Sequence, residues 1–192
     1  MSYAKYHTDG FVLKSFDRGE ADRAYAILTR EFGLVYAHAL GVRAEGSKLR
    51  SSLQDLSYDE LALVRTRDRW RVTDARSVLG TWKAKDRALV ARMLGLVGKL
   101  IAEHDPQPEL FETIVRGATF AARTTLTSVE HSNLEVLLAL RVLKHLGYLG
   151  ESEPLAHLIA SPFVTDIAIF EAGRLRTRAL AEINRSIREL PL

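Results

Sequence analysis

The spacing of apolar residues changes once along this chain, and that change limits what it can fold into. Up to about residue 75 apolar residues alternate in short runs bounded by turn residues, the period of half-buried strands. From Asp86 onward they recur every three to four residues, as on helices. The reading is an α+β chain in two parts, mainly β over residues 1–80 and all-α over residues 81–192. Five strands are predicted: Asp9–Ser15, Arg23–Thr29, Leu34–Val42, Leu61–Arg65 and Trp70–Ala75. In the first, Phe11 and Leu13 are placed on one face and Gly10, Val12 and Lys14 on the other. Asp17-Arg18-Gly19-Glu20, Glu31-Phe32-Gly33 and Thr66-Arg67-Asp68 read as turns, and Leu53–Leu56 as a short helix or an irregular crossing.

Five short strands with a break between the third and fourth fit a small OB-fold barrel. Its binding face is built from strands two and three and from the loops joining strands one to two and four to five. On that template Arg18 lies in the first of these loops, Arg23 and Tyr25 on strand two, and Tyr36 and His38 on strand three. Arg65, Arg67 and Arg69 lie at the other loop, beside Trp70 and Arg71. Cations interleaved with aromatics suit a single nucleic-acid strand, because guanidinium groups neutralise phosphate while rings stack on unpaired bases. Trp70, Tyr25 and Tyr36 alternate equally well as core residues. The run from Arg65 to Arg71 gathers like charges on one hairpin, which is unfavourable unless an anion, or Asp68 and Asp74, answers it. A merely solvated hairpin is the competing reading.

Gly41-Val42-Arg43-Ala44-Glu45-Gly46-Ser47-Lys48-Leu49-Arg50 carries three cations on a loop with two glycines. Backbone amides and the side chains of Arg43, Lys48 and Arg50 are expected to approach a phosphate there. A nucleotide-binding P-loop requires lysine and then a hydroxyl residue after the second glycine; Ser47 precedes Lys48, so ATP chemistry is not expected.

The 192 residues include 27 Lys and Arg against 24 Asp and Glu, a net charge of +3, so any nucleic-acid surface must be local. Without cysteine the chain has no disulfide, thiol nucleophile or cysteine-bound zinc, which suits a reducing cytosol. No leader is read at the N-terminus, and Ala88–Ala102 is interrupted by Arg92 and Lys99, so a cytoplasmic protein without a membrane span is expected. The six histidines show no metal-ligand spacing. Asp17, Glu20 and Asp22 share one loop and are a distant candidate for magnesium in a nuclease; as turn residues they would instead cap or pair with Arg18 and Arg23.

In the second part, Leu89, Met93, Leu96 and Leu100 and a parallel stripe make the helix after Asp86 apolar over much of its circumference, hence the expected centre of a bundle. Asp105-Pro106-Gln107-Pro108 ends it and starts another. Ser132 with Glu135 reads as the capping box of the helix that Gly147 ends. Glu153–Gly173 fits short helices or a hairpin, and Arg178–Leu190 a last amphipathic helix. Arg141 and Lys144 interrupt an apolar helix; they are candidates for receiving an acidic partner peptide, or simply its solvent edge.

Gly10-Phe11-Val12-Leu13-Lys14, Gly19-Glu20-Ala21-Asp22-Arg23, Thr29-Arg30-Glu31-Phe32-Gly33, Gly41-Val42-Arg43 and Ser47-Lys48-Leu49-Arg50 resemble, in order and spacing, the RecO family of bacterial recombination mediators. Asp105-Pro106-Gln107-Pro108-Glu109-Leu110-Phe111 and Leu146-Gly147-Tyr148 are similar to landmarks of that family's helical domain. The resemblance implies a non-enzymatic, nucleoid-associated protein that binds single- and double-stranded DNA and anneals complementary strands. It also implies partners: RecR, the C-terminal tail of single-stranded-DNA-binding protein (SSB), and RecA, which such proteins help load onto SSB-coated DNA. Many members carry four zinc-binding cysteines after the Leu-Gly-Tyr landmark; here Leu149-Gly150-Glu151-Ser152-Glu153 has none, so no metal or other cofactor is expected. The rival reading is a docking scaffold that binds acidic partner tails with little DNA affinity.

Overall fold

A computed structural model describes residues 4–66, 69–150 and 153–189. The chain forms two compact units: Met1–Trp82 with Ile101–Pro108, and Lys83–Leu100 with Glu109–Leu192.

The first unit is a barrel of β1 (Lys5–Arg18), β2 (Asp22–Thr29), β3 (Gly33–Ala39), β4 (Tyr58–Arg65) and β5 (Trp70–Ser77). The strands close in the order β1-β2-β3-β5-β4. Neighbours are antiparallel except β3 and β5, which run parallel through Ala37 with Trp70 and His38 with Arg71. Together with the helices that follow, this is the α+β architecture, an OB-type barrel and then helices, that the change of period implies.

Alternation fills the barrel. Tyr25 and Ile27 from β2, Val35 and Ala37 from β3, Leu61 and Leu63 from β4, and Trp70 and Val72 from β5 point inward with Val12 of β1. Trp70 and Tyr25, equally readable as stacking platforms, are thus core residues, 4% and 0% exposed. β1 is longer than the predicted strand because its first half pairs with β4 and its second half with β2. A bulge between Val12 and Lys14 shifts its alternation, so the expected pairing of Val12 and Lys14 on one face does not hold; Val12 lies in the core and Lys14 is exposed. Ile101–Pro108 contributes one bridge, Glu103 beside Leu34, and the His104 amide donates to the Leu34 carbonyl at 3.0 Å.

The second unit contains α1 (Ala84–Leu100), α2 (Pro108–Arg123), α3 (Ser128–His145), α4 (Ala156–Ala160), α5 (Asp166–Arg174) and α6 (Arg176–Arg188). Its centre is α3 rather than α1. Residues Val136–Val142 of α3 are all buried, and α1, α4, α5 and α6 pack against it. Gly117 lets α2 approach as well, since a Cβ there would lie 2.5 Å from Leu138. The capping box of α3 is Thr127 with Glu130, one turn before the predicted Ser132 and Glu135, which fall within the helix. Gly147 follows its end at φ +78°, the left-handed conformation that glycine adopts without steric cost. Among the described residues, no helix is long and apolar enough to cross a membrane.

Candidate nucleic-acid interface

Directly opposed residues in a sheet share a face, so the register assigns the outer surface of the barrel. One row runs Phe16, Ala24, His38, Arg71 across β1, β2, β3 and β5; the next runs Lys14, Ala26, Tyr36. Arg18 opposes Asp22 at the hairpin end. The small side chains at the middle of each row leave Phe16 and Tyr36 as the raised groups, 41% and 46% exposed. Lys14 Nζ sits 5.2 Å from the Phe16 ring centre. Burial, and then the nearby Arg18 and Arg69 cations, lower the pKa of His38 and favour a neutral ring. This surface therefore offers aromatic platforms edged by Lys14, Arg18, Arg69 and Arg71.

Of the sequence-selected residues, Arg18, Arg69, Tyr36 and His38 meet on that face. Arg65 opposes Trp70 and so shares the inward side at the end of the barrel rather than this face, with its guanidinium carbon 5.3 Å from the centre of the Trp70 ring. Arg67 falls outside the described residues. Lys14 and Phe16 were missed. The predicted first strand ended at Ser15 and had no bulge, and only the bulge brings both side chains to the outer face.

Arg23, Arg43 and Arg50 gather elsewhere, around a pocket near the β1–β2 turn. The basic loop is tied down at both ends by Val42 and Leu53, 3% and 1% exposed. The Arg43 amide donates to Ala21 at 3.0 Å, and the Gly41 amide to Asp22 Oδ1 at 2.7 Å. Gly41 takes φ +61° to make this turn. The expected approach of an anion to loop amides is reduced, because those of Ala44, Ser47, Arg50, Ser52 and Leu53 bond to carbonyls within the loop. Anion contact there falls to side chains. Arg43 donates to the Gly19 carbonyl at 3.2 Å, while Lys48 and Arg50 are exposed.

The acidic residues of the β1–β2 turn serve the fold. Asp17 accepts from Arg23 at 2.8 Å, and this bond raises the Arg23 pKa; Asp22 is the acceptor for Gly41. Among the described residues, no group of three or more His, Asp and Glu side chains is placed to hold a metal ion.

Arg141 does not fit the role of receiving a partner peptide. It is 2% exposed, donates to the carbonyls of Leu158 at 2.8 Å and Phe163 at 3.2 Å, and burial lowers its pKa to about 10. One cation in an apolar helix reads as a solvent edge only if nothing folds over it, and the segment around α4 does. Lys144 stays exposed.

Residues 1–78 match the family described as Recombination protein O N terminal. The chain is 35% identical over 112 residues to the DNA repair protein RecO of Myxococcus xanthus, covering 56% of this chain and 46% of the relative. It is 34% identical over 152 residues to the RecO of Heliobacterium modesticaldum, covering 76% and 53%, and 29% identical over 147 residues to that of Desulfitobacterium hafniense, covering 74% and 52%. It spans about half the length of the curated relatives it matches. With the family match lying on the barrel and these similarities reaching beyond it, the chain belongs to the RecO family.

Proposed function

We propose that the chain binds DNA on the outer face of its barrel and works in DNA repair and recombination, bringing complementary strands together without bond-making chemistry of its own. The observation that carries this reading is the shared face of Phe16, Tyr36 and His38, edged by Lys14, Arg18, Arg69 and Arg71. Bases of a single strand stack on the rings while the cations take its phosphates. Arg43, Lys48 and Arg50, with Arg23 and Arg65, extend the positive rim toward a second strand or a duplex. Two strands held this way no longer repel each other strongly, and base pairing then drives their annealing. Family resemblance extends the reading to joining RecR and to loading RecA on SSB-coated DNA.

The test is fluorescence anisotropy of a labelled single-stranded oligonucleotide across a salt series. Replacing Arg43, Lys48 and Arg50 by alanine is expected to weaken binding and make the salt slope shallower by about 0.7 per phosphate contact removed. Replacing Phe16 and Tyr36 is expected to weaken binding with little change in slope. A native protein that does not bind near physiological salt would sink the reading.

A second reading, docking of an acidic tail such as that of SSB, has a specific feature behind it. A groove of about 520 Å3 between α1, α3 and α6 has Met93, Leu96, Val136 and Ile183 on its floor. Arg92, Lys99 and Arg176 stand along it, Arg92 engaged by Glu135 and Arg176 by Ser132. If an acidic peptide binds equally well after Lys99→Glu, this reading is lost.

A further inference from the structure

A pocket of about 410 Å3 lies between the start of β2 and the basic loop, lined by Arg23, Tyr25, Arg43, Arg50 and Gln54 over an apolar back of Val42 and Leu53. Three guanidinium groups share it. Asp17 answers two of them, accepting from Arg23 at 2.8 Å and standing 3.7 Å from Arg43; Asp55 is the other carboxylate whose charge reaches Tyr25. Arg50 makes no side-chain hydrogen bond or ion pair among the described residues, and its carbonyl accepts from Gln54. The cations therefore outnumber the carboxylates. Tyr25 is 0% exposed, and its hydroxyl lies beside the donor-only guanidinium of Arg23, so its own proton meets no acceptor. A buried hydroxyl without an acceptor is unfavourable, and native proteins rarely keep one without a use.

We infer that this pocket is a phosphate site, in which Arg23, Arg43 and Arg50 surround the oxyanion and the Tyr25 hydroxyl donates to it from below. A tetrahedral, acceptor-only anion answers both the surplus charge and the orphaned donor. A cation meets the wrong charge, and a neutral ligand leaves the charge unanswered. Arg23 and Arg43 keep 34% and 40% of their side-chain surface exposed, so both can swing outward as the phosphate seats. The pocket lies apart from the rows of Phe16 and Tyr36. The inference rests on the DNA-binding reading only for the source of the phosphate, which is a strand end, an internal phosphodiester or free phosphate.

The whole chain is titrated with inorganic phosphate at constant ionic strength, by calorimetry and thermal shift, with chloride as the reference anion. Wild type is compared with Tyr25→Phe and Arg50→Gln. Phosphate is expected to stabilise wild type, and each substitution to weaken its binding by about tenfold or more. Tyr25→Phe should lower the melting temperature of the unliganded protein little, since the hydroxyl it removes has no acceptor there. A wild type that responds to phosphate no more than to chloride, or variants that both bind phosphate as wild type does, would overturn the inference. If Tyr25→Phe does not fold, Arg50→Gln alone decides. Oligonucleotides with and without a 5′-phosphate identify the source. Preference for the phosphorylated strand, lost in Tyr25→Phe, assigns a strand end; equal binding weakened by Arg50→Gln assigns an internal phosphodiester; neither effect, with phosphate binding intact, assigns the free ion. Phosphate binding without any DNA binding sinks the DNA reading and leaves the pocket standing.

Discussion

The indole nitrogen of Trp70 donates a hydrogen bond to Nε2 of His104 at 3.3 Å, joining β5 to the segment that follows α1. The ring itself packs edge-on against Tyr6, with centroids 5.5 Å apart, and tilted against Phe32 at 5.0 Å. Acceptance at Nε2 requires the tautomer protonated on Nδ1. His104→Ala is expected to destabilise the barrel by about 1 kcal/mol, because water reaches the exposed His104 side and replaces part of the lost bond. Urea unfolding followed by tryptophan fluorescence measures this, and an unchanged midpoint would show the bond to be idle.

Gly33→Ala should cost more than about 2 kcal/mol. Gly33 has φ +65°, and a Cβ there would lie 2.4 Å from the Asp105 carbonyl oxygen, a backbone atom that cannot swing aside. Full stability in denaturant would contradict this packing.

Asp59 is 0% exposed and accepts from the Ser57 hydroxyl, while its other oxygen has no partner. Burial pushes its pKa up to about 6 from 3.8, against the smaller opposing effect of Ser57. The folded state thus prefers the protonated acid. The stability this contributes is complete below about pH 4 and is lost as pH rises to about 6. Asp59→Asn should abolish this fall, worth on the order of 2 kcal/mol, in melts between pH 4 and 7. Parallel pH profiles for the two proteins would refute it.

Arg141→Ala should cost about 2 to 4 kcal/mol, because it strips the donor from two carbonyls and empties a buried volume. Lys144→Ala, on the exposed side of the same helix, should change stability by less than about 0.5 kcal/mol. Equal effects in equilibrium unfolding would mean that Arg141 is not the internal brace its contacts describe.

Tyr36→Ala should weaken single-strand binding by about 1 to 3 kcal/mol per stacked base while leaving the salt slope nearly unchanged. The anisotropy series separates these two parameters. A changed slope at constant affinity would place Tyr36 beside phosphate rather than base.

The five strands were legible because each alternates and each ends in turn residues. What escaped the sequence is what depends on register or on a distant segment. No local signal marks the bulge after Val12, yet it decides that Lys14 joins Phe16 on the outer surface. Thr127 with Glu130 and Ser132 with Glu135 have the same spacing, and only the packing of the helix determines where it begins. Arg141 looks like any interrupting cation until the Leu158 and Phe163 carbonyls arrive from beyond the helix to meet it. The three cations of the basic loop stand out in the sequence and are exposed in the structure, but the hydroxyl of Tyr25 in the pocket of Arg43 and Arg50 is hidden by the reading of that ring as core or stacking.

The shared strand β1 sets a schedule for synthesis on the ribosome. Lys5 pairs with Val64, so the nascent barrel cannot close until β4 has left the exit tunnel, however early its two hairpins form. The wait lasts longer still for Trp70. Its hydrogen-bond acceptor, His104, lies on the far side of α1, and until that helix has been made the emerging unit carries its largest aromatic side chain with the indole N–H unanswered.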